Sequence, residues 1–147
     1  MIPMAVRIGK LGLDDYEAMV ALWRRVGLVN RVGIRDARPA FTRQVRLNNG
    51  LYLGAFDGDR LVGTVLGTHD TRKGWINRLA VDPAYQRRGV GSRLLKACER
   101  ALVRKGVRII AALVVKGNEP STNMFRRSGY ELSEDILYVR KKVDPDA

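Results

Sequence analysis

The chain has 147 residues, 46% of them apolar and 29% charged, an ordinary globular balance that one domain spanning residues 1–147 accounts for. That excludes intrinsic disorder, while the single cysteine and single histidine exclude an internal disulfide and a Cys/His zinc site, so no metal is expected. Lys and Arg number 27 against 15 Asp and Glu, and the net charge of +12 admits nucleic acid, a polyphosphate ligand or an acidic substrate as well as a plain solvated basic surface.

In chain order, Met1 to Lys10 carries no apolar secretion core, and no apolar run reaches the roughly 18 residues of a membrane span. A cytoplasmic protein is expected. Val6 to Ile8 reads as a first strand. Asp14, with Glu17 three residues on, reads as a capped helix start, and Met19, Leu22, Trp23 and Val26 form one apolar stripe ended by Gly27. Met19 and Trp23 are assigned to the core. Leu28 to Arg38 is a polar connector, and a second helix is expected from Pro39 to about Asn48.

Leu51 to Phe56 and Leu61 to His69 read as strands joined by hairpin chemistry at Asp57-Gly58-Asp59. Trp75 to Val81 is a third strand of this group, stopped by Asp82-Pro83. Gly91 to Lys105 is strongly amphipathic, with Leu94, Leu95, Cys98, Ala101 and Leu102 on one face. Val107 to Val115 is almost unbroken apolar, which predicts a strand covered on both faces. A short helix is expected around Ser121 to Arg127 and a last strand at about Ile136 to Lys142. The order β-α-α-β-β-β-α-β-α-β predicts a mixed α+β sheet.

The segment Gln86-Arg87-Arg88-Gly89-Val90-Gly91 follows a strand and opens the strongest helix. Two glycines let a ligand approach the backbone, the first helical turn leaves amide donors unpaired, and the arginines add charge: together a pyrophosphate cradle. Neither GxxxxGK[ST] nor GxGxxG is present. A tight turn with incidental arginines is the competing reading.

The stretch from Trp75 through Asn77-Arg78-Leu79-Ala80-Val81-Asp82-Pro83 to Gly91 resembles the cofactor core of the GCN5-related N-acetyltransferase (GNAT) superfamily. Asn118, followed by Phe125-Arg126-Arg127-Ser128-Gly129-Tyr130, resembles the family's downstream segment. The resemblance implies a mostly antiparallel sheet flanked by helices, acetyl-CoA as co-substrate, and an amine acceptor, small molecule or protein N-terminus or lysine. It implies that the backbone of Leu79, Ala80 and Val81 pairs with the pantetheine arm. Gln86, Arg87, Arg88, Gly89, Val90, Gly91 and Ser92 then hold the pyrophosphate, and Asn118 and Phe125 border the cofactor. Oligomeric state stays open, members of the family often being dimers.

Two departures bear on catalysis. Phe125 stands where many members carry an acidic tyrosine, and a phenyl ring has no proton to give. Asn77 and Arg78 stand where many carry a carboxylate base, and neither accepts a proton near neutral pH. His69, at a strand end, has a suitable intrinsic pKa; Asp70 and Glu119 are further candidates as base, and Tyr130 and Tyr138 as acid. Cys98 belongs to an apolar face where thiols are inert. Arg31, Arg35, Arg38, Arg43 and Arg46 surround a region that borders the acceptor in the family, which points to an acidic acceptor or to a solvated basic face.

Two readings result: an acetyl-CoA-dependent N-acetyltransferase, or a non-catalytic module that binds acyl-CoA or docks on nucleic acid. RNP-type aromatic-basic interleaving and a helix-turn-helix pattern are both absent from the sequence, which disfavours nucleic acid.

Overall fold

Three stripes of apolar side chains, on two helices and on the strands between them, are what the fold has to cover. The computed structural model describes residues 5–147, in two units, one ending at Ala112 and the other spanning Leu113–Ala147. The first holds β1 (Val6–Lys10), α1 (Tyr16–Arg25), α2 (Arg38–Leu47), β2 (Tyr52–Asp57), β3 (Arg60–His69), β4 (Gly74–Val81), α3 (Val90–Arg104) and β5 (Ile110–Ala112). The second holds α4 (Glu119–Arg127). The strands form one sheet in the order β1-β2-β3-β4-β5, antiparallel except for the parallel pair β4–β5. This is the mixed, mostly antiparallel α+β sheet flanked by helices that the pattern predicts. Among the described residues no helix is long and apolar enough to cross a membrane.

Central β3 is buried without a break from Leu61 to Gly67, because helices cover both of its faces. Trp23 of α1 donates from Nε1 to Thr64 Oγ1 at 2.9 Å. Its neighbours in the core include Met19, Phe41, Tyr52, Phe56 and Leu66. Adjacent residues of a strand point to opposite faces, so Gly63 faces the other side, where α3 lies. A Cβ on Gly63 would come within 2.8 Å of Leu94 Cδ1, one on Gly67 within 2.6 Å of Cys98 Sγ, and one on Gly74 within 3.0 Å of the Leu102 methyls. Leu94, Cys98 and Leu102 form one i, i+4 ridge. That ridge sits on a surface stripped of side chains.

Three expectations are corrected. Asp14 does not cap α1; the Asp15 carboxylate takes that region, accepting from the Gly12 N–H at 2.7 Å. The apolar run Val107 to Val115 forms a strand only at Ile110–Ala112, and Ile109, Leu113 and Val115 are exposed. Among the described residues it is the edge strand of the sheet, and its three residues are only partly buried. Ile136 to Lys142 forms no strand, and Ile136, Leu137, Tyr138 and Val139 are exposed. β-branched composition marks strand propensity, but a ladder also requires a partner edge.

The glycine seat is testable. Gly67→Ala should destabilise by about 1–3 kcal/mol through overpacking. Combining it with Cys98→Ala, which removes the sulfur that the new methyl meets, should recover at least half of that loss relative to Cys98→Ala alone. Urea midpoints of the four proteins measure this coupling; strict additivity would place the clash elsewhere.

Candidate functional site

The site is built where β4 outruns β5. The two strands pair only at Gly74, Trp75 and Ile76, so from Asn77 to Val81 that edge carries no strand among the described residues. Ala80 pairs with Thr64 of β3, and the Asp82 N–H bonds Val62 O at 2.8 Å. By alternation, Leu79 and Val81 turn their peptide groups to the open edge. Gln86 reaches back to it, its Nε2 donating to Val81 O at 3.0 Å.

The chain then turns sharply into α3. Arg87 has φ 63° and Gly89 φ 78°. The first helical bond runs from Arg93 N–H to Gly89 O at 3.0 Å, which leaves the amides of Val90, Gly91 and Ser92 without backbone acceptors among the described residues. A Cβ on Gly89 would meet nothing within 4 Å, so that face of the turn is open. Amide donors, helix dipole and the exposed Arg87 and Arg88 could together hold a diphosphate.

The turn is anchored from behind. Asp82, 4% exposed, accepts from the Ala84 N–H at 2.9 Å and pairs with Arg25 at 3.0 Å and Arg60 at 3.4 Å. Burial pushes its carboxyl up, but the Ala84 N–H and the two guanidiniums more than reverse this and hold it below the usual carboxylate range. The Tyr85 hydroxyl donates to Asp57, and this bond pushes its pKa up. Arg60 and Arg88 lie 5.7 and 5.8 Å from the Tyr85 ring centre. The loop is thereby tied to α1 and to the β2–β3 hairpin. The ties of Asp82 to Arg25 and Arg60 and of Tyr85 to Asp57 were not singled out from the sequence, since each joins residues more than 20 apart.

A bulge precedes the open edge. Arg78 and Leu79 of β4 stand opposite the single residue Val65, and Arg78 has φ 51°. Its guanidinium pairs with Asp36 of the connector at 2.5 Å. Sequence reasoning missed Asp36, although it is the sole acid between Leu28 and Arg38. Asn77 spends its amide on Leu66 O and Thr68 Oγ1, at 3.0 and 3.2 Å.

The family model described as the acetyltransferase (GNAT) family matches residues 16–130. The chain belongs to the GNAT acetyltransferase family. Acetyltransferase SG1711 of Sodalis glossinidius (strain morsitans) is 27% identical over 133 residues, 90% of this chain and 92% of that protein. Among solved structures, the PaiA N-acetyltransferase from Thermoplasma acidophilum in complex with coenzyme A superposes with a TM-score of 0.79 at 20% identity, over 88% of this chain and 92% of that one. AAC(6')-Iy, in complex with the bisubstrate analogue CoA-S-monomethyl-acetylneamine, gives 0.75 at 19%, over 93% and 98%.

For a GNAT chain the remaining candidates fall as follows. His69 accepts from the Thr71 N–H through Nδ1 at 3.1 Å. It stands opposite Gly74, four residues from Arg78 and so about 13 Å along the strand. Asp70 caps the same turn; the Lys73 and Arg72 N–H groups hold its carboxyl below the usual range. In the second unit, Asn118 caps α4 by accepting from the Ser121 N–H at 3.3 Å. Phe125 is buried, with the Tyr130 ring edge-on at 4.9 Å. Glu119 opens α4 and is exposed, as is Tyr138.

Cys98 is fully buried, and burial pushes its thiol up to about 12. An unfolded thiol ionises near pH ~8.5, so only the folded state keeps its proton above that value. The stabilisation is complete below pH ~8.5 and is lost by about 1.4 kcal/mol per pH unit as pH rises toward the folded value. Tyr52, pushed up to about 12 by burial and by Asp36, adds to this only above pH ~10. Urea midpoints between pH ~8.5 and ~10 should therefore fall in the parent and flatten in Cys98→Ala.

Proposed function

We propose that this chain is an acetyl-CoA-dependent N-acetyltransferase acting on a primary amine. The observation that carries the reading is the open edge at Leu79 and Val81 leading directly into the amide-lined turn at Gly89 to Ser92. An extended pantetheine arm can add to such an edge as a strand does, while the turn takes the diphosphate. When bound, acetyl-CoA supplies a thioester that the neutral amine attacks, coenzyme A leaving as the thiolate and the nitrogen's surplus proton passing to solvent. The chain's part is to hold the two reactants and to aim backbone N–H groups at the carbonyl oxygen.

No carboxylate stands on β4 to take the amine's proton. Asn77 is committed to β3, and Arg78 to Asp36. The mechanism favoured here is attack by an amine that is already neutral. In this reading Phe125 packs and Asn118 shapes the start of α4; neither transfers a proton. Arg31, Arg35, Arg43 and Arg46 are exposed and have no carboxylate partner among the described residues, while Arg38 pairs with Glu17 at 2.9 Å. Those four support an acceptor that carries negative charge near its amine. Release of free thiol from acetyl-CoA across a panel of small-molecule and peptide amines tests the reading; tight coenzyme A binding with no thiol release from any amine would favour the non-catalytic module.

Gly89→Val should abolish stabilisation by acetyl-CoA, both through the positive φ and by placing a branched side chain in the open face of the turn. At about 100 times the dissociation constant the parent gains about 2.7 kcal/mol; equal thermal shifts in the two proteins would remove this site. Phe125→Tyr should change turnover by less than about twofold, far below the 10² of a placed acid. Phe125→Ala should lose about 3 kcal/mol or more of stability, read from urea unfolding.

A further inference from the structure

Arg78 combines two features that seldom coincide. It is the first residue of a bulge in the position where glycine is the usual choice, and it holds φ 51° without being glycine. A side chain in that region is strained and persists only where its surroundings over-determine it. Here they do. The guanidinium lies 2.5 Å from Asp36 Oδ2, with the two side chains only 21% and 14% exposed, and 5.1 Å from the centre of the Trp23 ring. The Arg78 carbonyl accepts from Thr64 Oγ1 at 2.8 Å, and Thr64 accepts from Trp23 Nε1. One residue thus joins β4, β3, α1 and the connector.

The connector has few other anchors. Between Leu28 and Arg38 only Val29 is buried, and Val32 packs partly buried against the core. The 3-10 turn Ile34–Asp36 is otherwise fixed by two bonds to its carbonyls, from the Tyr16 hydroxyl to Asp36 O at 2.8 Å and from Gln44 Nε2 to Arg35 O at 2.7 Å. Neither engages a charge. With the diphosphate at Gly89, a pantetheine arm running from Val81 to Leu79 ends beside Arg78, so the segment bearing Asp36 stands next to the acyl end.

We propose that Asp36 and Arg78 form a latch that fixes the segment Gly33 to Ala37 against the β4 bulge as the acceptor-side wall, and so sets affinity for the amine. This positioning role rests on the acetyltransferase reading above. The pair touches neither reacting group; it acts through the wall it holds.

The test uses the full chain with Asp36→Asn, Arg78→Lys and the reversed pair Asp36→Arg/Arg78→Asp, Asp being well tolerated at positive φ. Hydrogen exchange reads the wall, and steady-state kinetics read its consequence, with the panel amine that the parent turns over fastest. Asp36→Asn should speed exchange of the amides of residues 30–37 by about tenfold or more, leaving β2 unchanged. It should raise the acceptor KM about tenfold, with kcat and the acetyl-CoA KM within about twofold. Arg78→Lys should fall between, since a lysine keeps the charge but not the fork. The reversed pair should regain at least half of both effects. Unchanged exchange at 30–37, a parallel loss in kcat and both KM values, or a reversed pair no better than Asp36→Asn would each overturn the latch. If the parent acetylates no amine, the acetyltransferase reading falls and with it the acceptor role. The exchange data then still decide whether the pair holds the segment, with calorimetric titration of coenzyme A reporting whether the cofactor site is intact.

Discussion

How closely α3 can approach the sheet governs the rest of this structure. The helix brings a ridge of Leu94, Cys98 and Leu102 onto Gly63, Gly67 and Gly74, where no side chain intervenes. Burying such leucines contributes about 1.5–3 kcal/mol each, and the seat they occupy sets where the helix begins. Its unpaired amides therefore fall at the carboxyl end of β4, beside the edge that β5 leaves uncovered. Had β3 and β4 carried alanines in place of those glycines, the helix would ride further out and its first turn would lose register with Val81 and Gln86. The stacked side chains are thus as much a part of the candidate site as the glycines of its loop.

The bulge at Arg78 acts on the other end of the same edge. Two residues of β4 oppose one of β3 there, which re-aims the strand; beyond it the peptide groups of Leu79 and Val81 face the edge that β5 leaves uncovered, where Val81 O takes the Gln86 side chain. The anchors divide the work. Asp82, Tyr85 and Asp57 hold the turn into α3 to the hairpin and to α1, while Asp36 holds the connector to the bulge. Charge that looks excessive in the composition is in these places used internally, arginine by arginine, against a small set of carboxylates.

Much of this was legible before any coordinates. Leu94, Leu95, Cys98 and Leu102 recur at helical spacing, and periodicity is a local signal that burial on one face enforces. Asp57-Gly58-Asp59 marks its hairpin because Gly58, at φ 59°, supplies a conformation few residues accept. The turn into α3 was legible for a similar reason, two glycines placed where a strand gives way to a helix. The misread segments depend on partners distant in sequence. Val107 to Val115 is apolar enough for a central strand, but position in the sheet decides coverage, and composition is silent about position. Ile136 to Lys142 has the residues of a strand without a partnering edge. Asp36 and Arg78, 42 residues apart, meet only because a bulge turns an arginine inward, and no local pattern announces a non-glycine bulge. The use of Asn77, bracing β4 to Leu66 and Thr68 of β3, is likewise a tertiary fact that no local pattern carries.

The burial of Cys98 has a practical side. A reaction that liberates coenzyme A produces a thiol, and disulfide dyes that colour on meeting thiolate report it. The sole cysteine of this chain lies on the sheet-facing side of α3 with its sulfur 3.9 Å from Leu51 O, out of reach of such a dye while the fold is intact. The native protein is therefore optically silent towards thiol reagents, and the same dye that follows turnover would register any loss of its folded state as one equivalent of new colour.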